Sequence, residues 1–348
     1  MINGPFVLFA FLTLFHLTAQ QNNVTTVRDA YLSIATDARA AGQADIGAAT
    51  STDAFSQFWN PEKYVFSDKK FEIGVTQIVE NSNQFNEFSQ LNLTFYNKRN
   101  ERSAYALSVR NFSYPVNNFI DFGTTYNTHG VAIDGSYTLK LSNEFAMSVG
   151  GRFIALNGKA PQFDGDYGAS GSNLYGIDVS GFYFGNEIAY KKFNGRWRAG
   201  FNFSNLRGKP SNDISAIEIY APSLLRTGAG FDFIFDQDNV LGITAEYKML
   251  LKSYTANADG EALDFGLEGS VMAIGFEYIF KEKVLLRAGY SHGINRATDS
   301  FGALGAGFRS NYADLDIAFL LGLAQEENPF RNNLRISVSL NLEEVFSN

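Results

Sequence analysis

Along most of this chain apolar and polar positions alternate with a period of two. In "LRISVSLNLEE" Leu334, Ile336, Val338, Leu340 and Leu342 share one face, while Arg335, Ser337, Ser339, Asn341 and Glu343 share the other. "DLDIAFLLG" sets Leu315, Ile317, Phe319 and Leu321 against Asp314, Asp316 and Ala318. Such alternation marks a strand with one apolar and one wet side. Fourteen segments of this kind are predicted, near 70–80, 87–98, 102–113, 129–142, 144–158, 174–191, 195–206, 223–236, 239–254, 264–280, 283–293, 299–308, 311–323 and 332–344. In "GLEGSVMAIGFEYIF" the apolar phase slips at Gly269 and Ser270, and a similar slip falls near Gly181. A β-bulge is expected at each.

The connections are sorted by length. Tight turns at 141–144, 192–196, 235–239, 280–283 and 309–312 alternate with polar loops near 114–128, 159–173, 207–222 and 255–263, and with shorter ones at 81–86, 294–298 and 324–331. Transmembrane barrels are built this way, whereas the strands of a soluble β-sandwich seldom exceed about ten residues. The expected fold class is all-β, a 14-stranded antiparallel transmembrane outer-membrane β-barrel. An even strand number leaves both termini of the mature chain periplasmic. The closing "LNLEEVF" reads as a last strand that ends on Phe346, and Trp197 and Tyr290 as members of aromatic girdles.

Composition agrees. Charged residues reach 18%, below the ~25% of soluble domains, and 33 Phe with 17 Tyr bring the aromatics to 15%. A mean hydropathy of -0.13 is too polar for a helix bundle in lipid, yet suits a wall that shows lipid every second side chain. Residues 1–19, "MINGPFVLFAFLTLFHLTA", read as a signal peptide, since the apolar core from Pro5 to Leu17 is too short to span a bilayer. Without Cys there is no disulfide, thiolate metal site or Cys nucleophile. The net charge of -8, with no basic cluster, argues against nucleic acid.

Little of the remainder carries chemistry. His129 and His292 each lack a second His or carboxylate at ligand spacing, so neither a metal nor a cofactor is expected. No G-x-S-x-G elbow is present, and no catalytic residue is assigned; a lipid hydrolase is the enzyme alternative. The inward faces hold Arg110, Asp134, Lys140, Arg152, Asp178, Arg198, Arg226, Asp232, Glu246, Lys248, Arg287, Asp314, Asp316 and Arg335. Their mixed signs predict a paired network in the lumen, where a selectivity lining would favour one sign.

A barrel of this size leaves a lumen. Residues 20–64, rich in Ala and Gly, precede a barrel expected over 65–346 and are read as its plug, with Pro61 stopping any helix before the wall begins. Within them "YLSIATDARAAGQADIGAATSTDAFSQFWNPEKYVF" (31–66) resembles the N-terminal region of the PorV-like outer-membrane proteins of the type IX secretion system of Bacteroidetes, a branch of the FadL-like barrels. Asp37, Arg39, Gly42, Asp45, Asp53, Trp59, Asn60 and Pro61 carry the motif, supported by Ala38, Ala41, Gly47, Ser51, Ala54 and Lys63. Glu62 departs from it, standing where FadL-like plugs usually have Ala.

The resemblance implies a component that binds the C-terminal signal domain of cargo leaving the translocon and shuttles it to the surface attachment machinery. Its implied partners are the large outer-membrane translocon barrel, the cargo signal domains and the surface attachment complex, with lipid and lipopolysaccharide around the wall. A FadL-like transporter of hydrophobic small molecules is the alternative. Loops 114–128 and 207–222 carry apolar residues, and Phe119, Ile120, Phe122, Ile214, Ile217 and Tyr220 are expected to bind partners.

Overall fold

The computed structural model describes residues 36–82, 85–117, 125–159, 169–206, 223–251, 270–294, 300–322 and 333–346. Residues 1–19, the first part of the 20–64 segment, Gly269, and the loop residues Phe119, Ile120, Phe122, Ile214, Ile217 and Tyr220 lie outside them.

The period-two segments form β1 (Phe71–Ser82), β2 (Phe85–Asn100), β3 (Ser103–Asn117), β4 (Thr125–Lys140), β5 (Phe145–Lys159), β6 (Ala169–Phe184), β7 (Ile188–Ala189), β8 (Asn194–Leu206), β9 (Ser223–Ile234), β10 (Asn239–Leu251), β11 (Val271–Phe280), β12 (Val284–Gly293), β13 (Phe301–Arg309), β14 (Ala313–Gly322) and β15 (Asn333–Asn341). Each pairs antiparallel with its neighbours; β1 pairs with β15 and β6 with β8, so the sheet closes on itself. The two-residue β7 continues the line of β6 beyond Gly185–Glu187, and both pair with β8. The wall is therefore a closed antiparallel barrel of fourteen strands, and closure leaves no edge along its paired height.

Alternation sets which side is lipid. In β15 exposed and buried side chains alternate, with Leu334, Ile336, Val338 and Leu340 outward and Arg335, Ser337 and Ser339 inward. Trp197 and Tyr290 are among the outward aromatics. A tyrosine and phenylalanine cluster of Tyr190, Phe193, Phe231, Phe233 and Phe235 covers the wall near the β7–β8 turn.

Several boundaries differ from the sequence reading. The β3–β4 ladder runs on to Asn117↔Thr125 and β6 begins at Ala169, so the loops expected at 114–128 and 159–173 are partly strand. Polar residues there pair because their neighbours also extend. The irregularity expected near Gly181 falls instead between Ile177 and Val179, and the β10–β11 ladder is unshifted from Phe280 to Val271. The last strand stops at Asn341, and Leu342–Phe346 turn into a short helix. Beyond Asn341 neither β1 nor β14 offers a partner, while Asn341 Oδ1 accepts the Glu343 N–H at 3.2 Å and starts the turn. The tight turns, the start of β1 and the end of β15 all lie on one rim; the opposite ends of the strands form the other.

Candidate functional site

Residues 36–66 run through the ring. Asp37 caps helix α1 (Ala38–Gly42), its Oδ1 accepting the Ala40 N–H at 2.8 Å. The helix carries only Ala, Arg and Gly, so its backbone approaches the wall closely and packs on β13 and β14. A single 3₁₀ turn follows at Ser56–Phe58 and two turns at Pro61–Phe66, the latter starting on Pro61, whose missing N–H costs nothing at a first position. Two wall glycines record how tight the fit is. A Cβ on Gly200 would sit 2.0 Å from the Ala48 carbonyl oxygen, and one on Gly289 would sit 2.4 Å from the Gln43 carbonyl carbon.

Asp37, Arg39, Gly42, Asp45, Trp59, Asn60 and Pro61 are buried, and Asp53 is half-buried. Arg39 organises the centre. Its Nε and Nη2 hold both oxygens of Glu277 on β11 at 2.9 and 2.7 Å. Its Nη1 reaches Asp53 at 2.9 Å and the carbonyls of Ser51 and Thr52. Glu277 also accepts from Arg287 Nε at 2.7 Å, and Arg287 Nη1 donates to Asp316 at 2.6 Å. The result is a row of alternating signs, Asp53–Arg39–Glu277–Arg287–Asp316, in which planar guanidinium forks meet carboxylates.

The second oxygen of Asp37 accepts the Trp59 indole N–H at 2.8 Å, tying the first turn of the segment to its end. The Arg226 guanidinium stacks over the Trp59 ring at 4.6 Å. Ala44 and Asp45 both take positive φ, 61° and 69°, which non-glycine residues adopt under strain. Asp45 is held there by Lys248 at 3.3 Å and by Arg226. Just beyond, the N–H groups of Gly47 and Ala48 both donate to Glu246 Oε2, at 2.8 and 2.7 Å. Asn60 Nδ2 donates to the Ala48 carbonyl at 2.7 Å and to Gly181 of β6 at 3.3 Å. Further bonds join the segment to β2 through Asn92, β8 through Asn202, and β15 through Ser337.

Burial changes the acids and bases of the segment. It pushes the Asp37 carboxyl up to about 7, helped by the nearby Asp53 charge. It pushes Glu62 up to about 8, and Glu62 has one oxygen bonded to Ser180 and the other without a partner among the described residues. Lys63, fully buried against the Gly47 carbonyl and Thr50, is lowered to about 8. Asp53 goes the other way: burial raises it, but Arg39 and Lys63 outweigh that and hold it below its ordinary value.

The inward charges on the wall are cross-paired. Arg110 and Arg152 share Asp134, Arg198 meets Asp232 at 2.7 Å, and Arg226 meets Glu246 at 2.9 Å. The arrangement is a network of mixed sign. A cavity of about 20 Å3 remains above the segment, lined by Thr36, Phe58, Trp59, Arg110, Arg152, Ser204, Leu224 and Arg226. That is room for a water or two.

The family model described as type IX secretion system protein PorV matches residues 17–256. The chain belongs to the PorV family. It is an outer-membrane β-barrel protein of type IX secretion, as the resemblance of residues 31–66 implies. Its fold is similar to that of the CymD monoaromatic hydrocarbon channel, with a TM-score of 0.53 at 13% identity over 89% of this chain and 98% of that one. It is also similar to the Ralstonia pickettii toluene transporter TbuX, with a TM-score of 0.52 at 12% identity over 89% and 97%. A Pseudomonas aeruginosa FadL homologue aligns at 0.49 and 14% identity over 88% and 98%. No curated protein sequence matches the chain.

Sequence reasoning missed Glu277, the partner that Arg39 meets across 238 residues. The signal was present, since Glu277 sits between Phe276 and Tyr278 on the polar phase of β11. The sequence marks Lys63 only as a motif position and Glu62 only as a departure from the motif, because burial of adjacent charges is not visible in spacing.

Proposed function

We propose that this protein binds the C-terminal signal domain of secreted cargo beside the large translocon barrel and passes it to the surface attachment complex. Residues 30–64 serve as the plug, the rim of tight turns faces the periplasm, and the work is done by the opposite rim. The observation that carries this reading is the inner face: the segment engages charged and polar groups from strands all round the ring. What supports it further is the family match, which needs no catalytic residue.

The FadL-like transporter is the competing reading. A hydrophobe path requires apolar space; an apolar cavity of about 150 Å3 is what admits benzene. The cavity beside Trp59 is far smaller and is edged by arginines, and a wider cleft of about 330 Å3 at the tight-turn rim is lined largely by charged and polar side chains such as Lys70, Lys98, Arg99 and Glu343. On this reading cargo is captured on the exterior, where Phe119, Ile120, Phe122, Ile214, Ile217 and Tyr220 are proposed to supply buried area.

The test combines two variants. Deletion of residues 30–58 is expected to raise outer-membrane permeability to large antibiotics. A Phe119→Ser, Phe122→Ser, Ile217→Ser variant should fold and reach the membrane, yet lose affinity for a purified cargo signal domain by roughly thirtyfold, as truncation of interface anchors does. Undiminished binding, together with loss of uptake of a small hydrophobe on changing Arg152 or Asp232, would establish the transporter instead.

A further inference from the structure

The outward apolar stripes of the wall end just short of the tight-turn rim. On β15 Leu334, Ile336, Val338 and Leu340 form one such stripe, and Leu342 extends it. Beside it on β1 the stripe runs from Val75 through Ile73, opposite Leu340, to Phe71. Strands that rise about 3.3 Å per residue and tilt by about 40° carry the β15 stripe over roughly 20 Å of membrane thickness, most of the ~25 Å apolar band of such barrels. Phe71 and Leu342 therefore mark the edge of that band. Charged side chains follow at once: Lys70, Glu343 and, on β2, Lys98 and Arg99.

The cleft of about 330 Å3 opens at this level, on the outside of the seam where β1 meets β15. It exists because neighbouring strands end at different heights. The β15 ladder stops at Asn341, opposite Glu72, and Leu342–Phe346 turn aside as a helix. Strand β2 runs on past Phe71↔Asn97 to Asn100. Phe71 and Leu342 give the cleft its apolar part; Lys70, Lys98, Arg99 and Glu343 give it a charged one. The segments beside it, 67–72, 97–103 and 340–346, all lie within the described residues.

Most charges at this corner are already matched. Lys69 turns inward to Glu72 at 2.6 Å and Asp314 at 2.9 Å. Lys98 Nζ donates to the Ser67 carbonyl at 2.9 Å and meets Glu101 at 3.1 Å. Lys70 meets Glu343 at 2.9 Å, with side chains 66% and 43% exposed, a surface pair that exchanges partners at little cost. Arg99 is exposed, and among the described residues its guanidinium has no hydrogen bond or ion pair. Glu101 offsets Lys98 and Glu343 offsets Lys70, so one positive charge is left over beside an apolar surface at the edge of the band.

We propose that this cleft binds an acidic glycerophospholipid, its phosphodiester on Arg99 and Lys70 and the first part of its acyl chains against Phe71 and Leu342. A phosphodiester carries a single negative charge, and its oxygens suit the planar guanidinium fork. A lipid also presents its charge and its hydrocarbon in the order that the cleft does, charge toward the rim and chains toward the band. With the tight-turn rim in the periplasm, the reading given above, this lipid belongs to the periplasmic leaflet. Nothing else in the inference rests on the secretion reading.

The experiment uses the full chain in neutral detergent, titrated with dioctanoyl phosphatidylglycerol and followed by thermal midpoint and by native mass spectrometry. Binding should saturate, and Arg99→Gln combined with Lys70→Gln should weaken Kd by about tenfold or more. Both side chains are exposed, so the barrel should keep its heat-modifiable mobility on gels. Lys191→Gln combined with Lys192→Gln removes the same charge from another turn of this rim and should stay within about twofold. Dioctanoyl phosphatidylcholine, with the same chains and no net charge, and glycerol phosphate, with no chains, should each bind at least about fivefold more weakly. No binding to wild type, or equal losses in the two double variants, would overturn the site. Glycerol phosphate binding as tightly as the lipid would make it a free-anion site, and a preference for lipopolysaccharide would put the rim in the other leaflet; either result overturns the assignment. None of these outcomes bears on cargo binding, which the loop variant tests separately.

Discussion

Side chains leaving the ring are Val, Leu, Ile, Phe and Tyr, many of them about half exposed, whereas residues 36–66 expose little and meet the wall through ions and hydrogen bonds. The outer surface is held by what surrounds it, and one apolar residue there resembles another. The inner contents are held by named partners, so each polar group depends on a particular residue elsewhere. Burying ions without partners costs several kcal/mol each. The segment avoids that cost only because the wall supplies the complementary charge at Glu277, Arg226, Glu246 and Lys248.

The sharpest test of this contrast is Arg39→Ala. It strips Asp53 and Glu277 of their shared cation and should cost about 3–5 kcal/mol, read as a lower denaturation midpoint and as protease cleavage within residues 36–66. On the outer face, Ile336→Arg in the middle of β15 should cost about 2–4 kcal/mol in lipid vesicles, while Ile336→Ala stays below about 1. A larger penalty for the alanine than for the arginine would mean that this face is not in lipid.

Next in size comes the close approach of backbone to backbone. Gly200→Leu should displace the segment at a cost of about 2–3 kcal/mol, since its Cβ alone meets Ala48. Gly302→Ala, whose Cβ would have nothing nearer than Leu321 at 4.0 Å, should be silent within about 0.5 kcal/mol. Equal thermal midpoints for the two variants would remove the claim of tight seating.

The smallest expected effect is a pH dependence. Glu62 is raised by burial from 4.5 to about 8, and Asp37 from 3.8 to about 7. A raised carboxyl means that the folded state keeps a proton the unfolded chain has released, so this contribution is full below about pH 4 and lost as pH rises through 7 and 8. Lys63, lowered from 10.5 to about 8, contributes above that range and loses its effect as pH falls to 8. Asp53, held low, matters only in acid. Stability should therefore decline between pH 5 and 8. Glu62→Gln should flatten the decline and raise stability at pH 8 by about 1 kcal/mol, measured as thermal midpoints at the two pH values.

Much of this was legible in the residues. Period two is a local property, fixed by which side of a strand each side chain leaves, so "LRISVSLNLEE" announces its lipid and lumen faces without help from the rest of the fold. Tight turns carry their own chemistry, and the motif from Asp37 to Pro61 marks the segment that precedes the wall. What the sequence left open depends on register and on distance along the chain. Arg39 can pair with Glu277 only once β11 stands opposite α1 in the closed ring. The bulge between Ile177 and Val179 is tied by bonds from Asn205 to Asp178, Arg152 and Ser223, which arrive there from three other strands. The extension of the β3–β4 and β5–β6 ladders to Asn117↔Thr125 and Lys159↔Ala169 arises because polar residues continue a ladder when their neighbours do. Periodicity determines faces; only the closed sheet decides which faces meet, and where pairing ends.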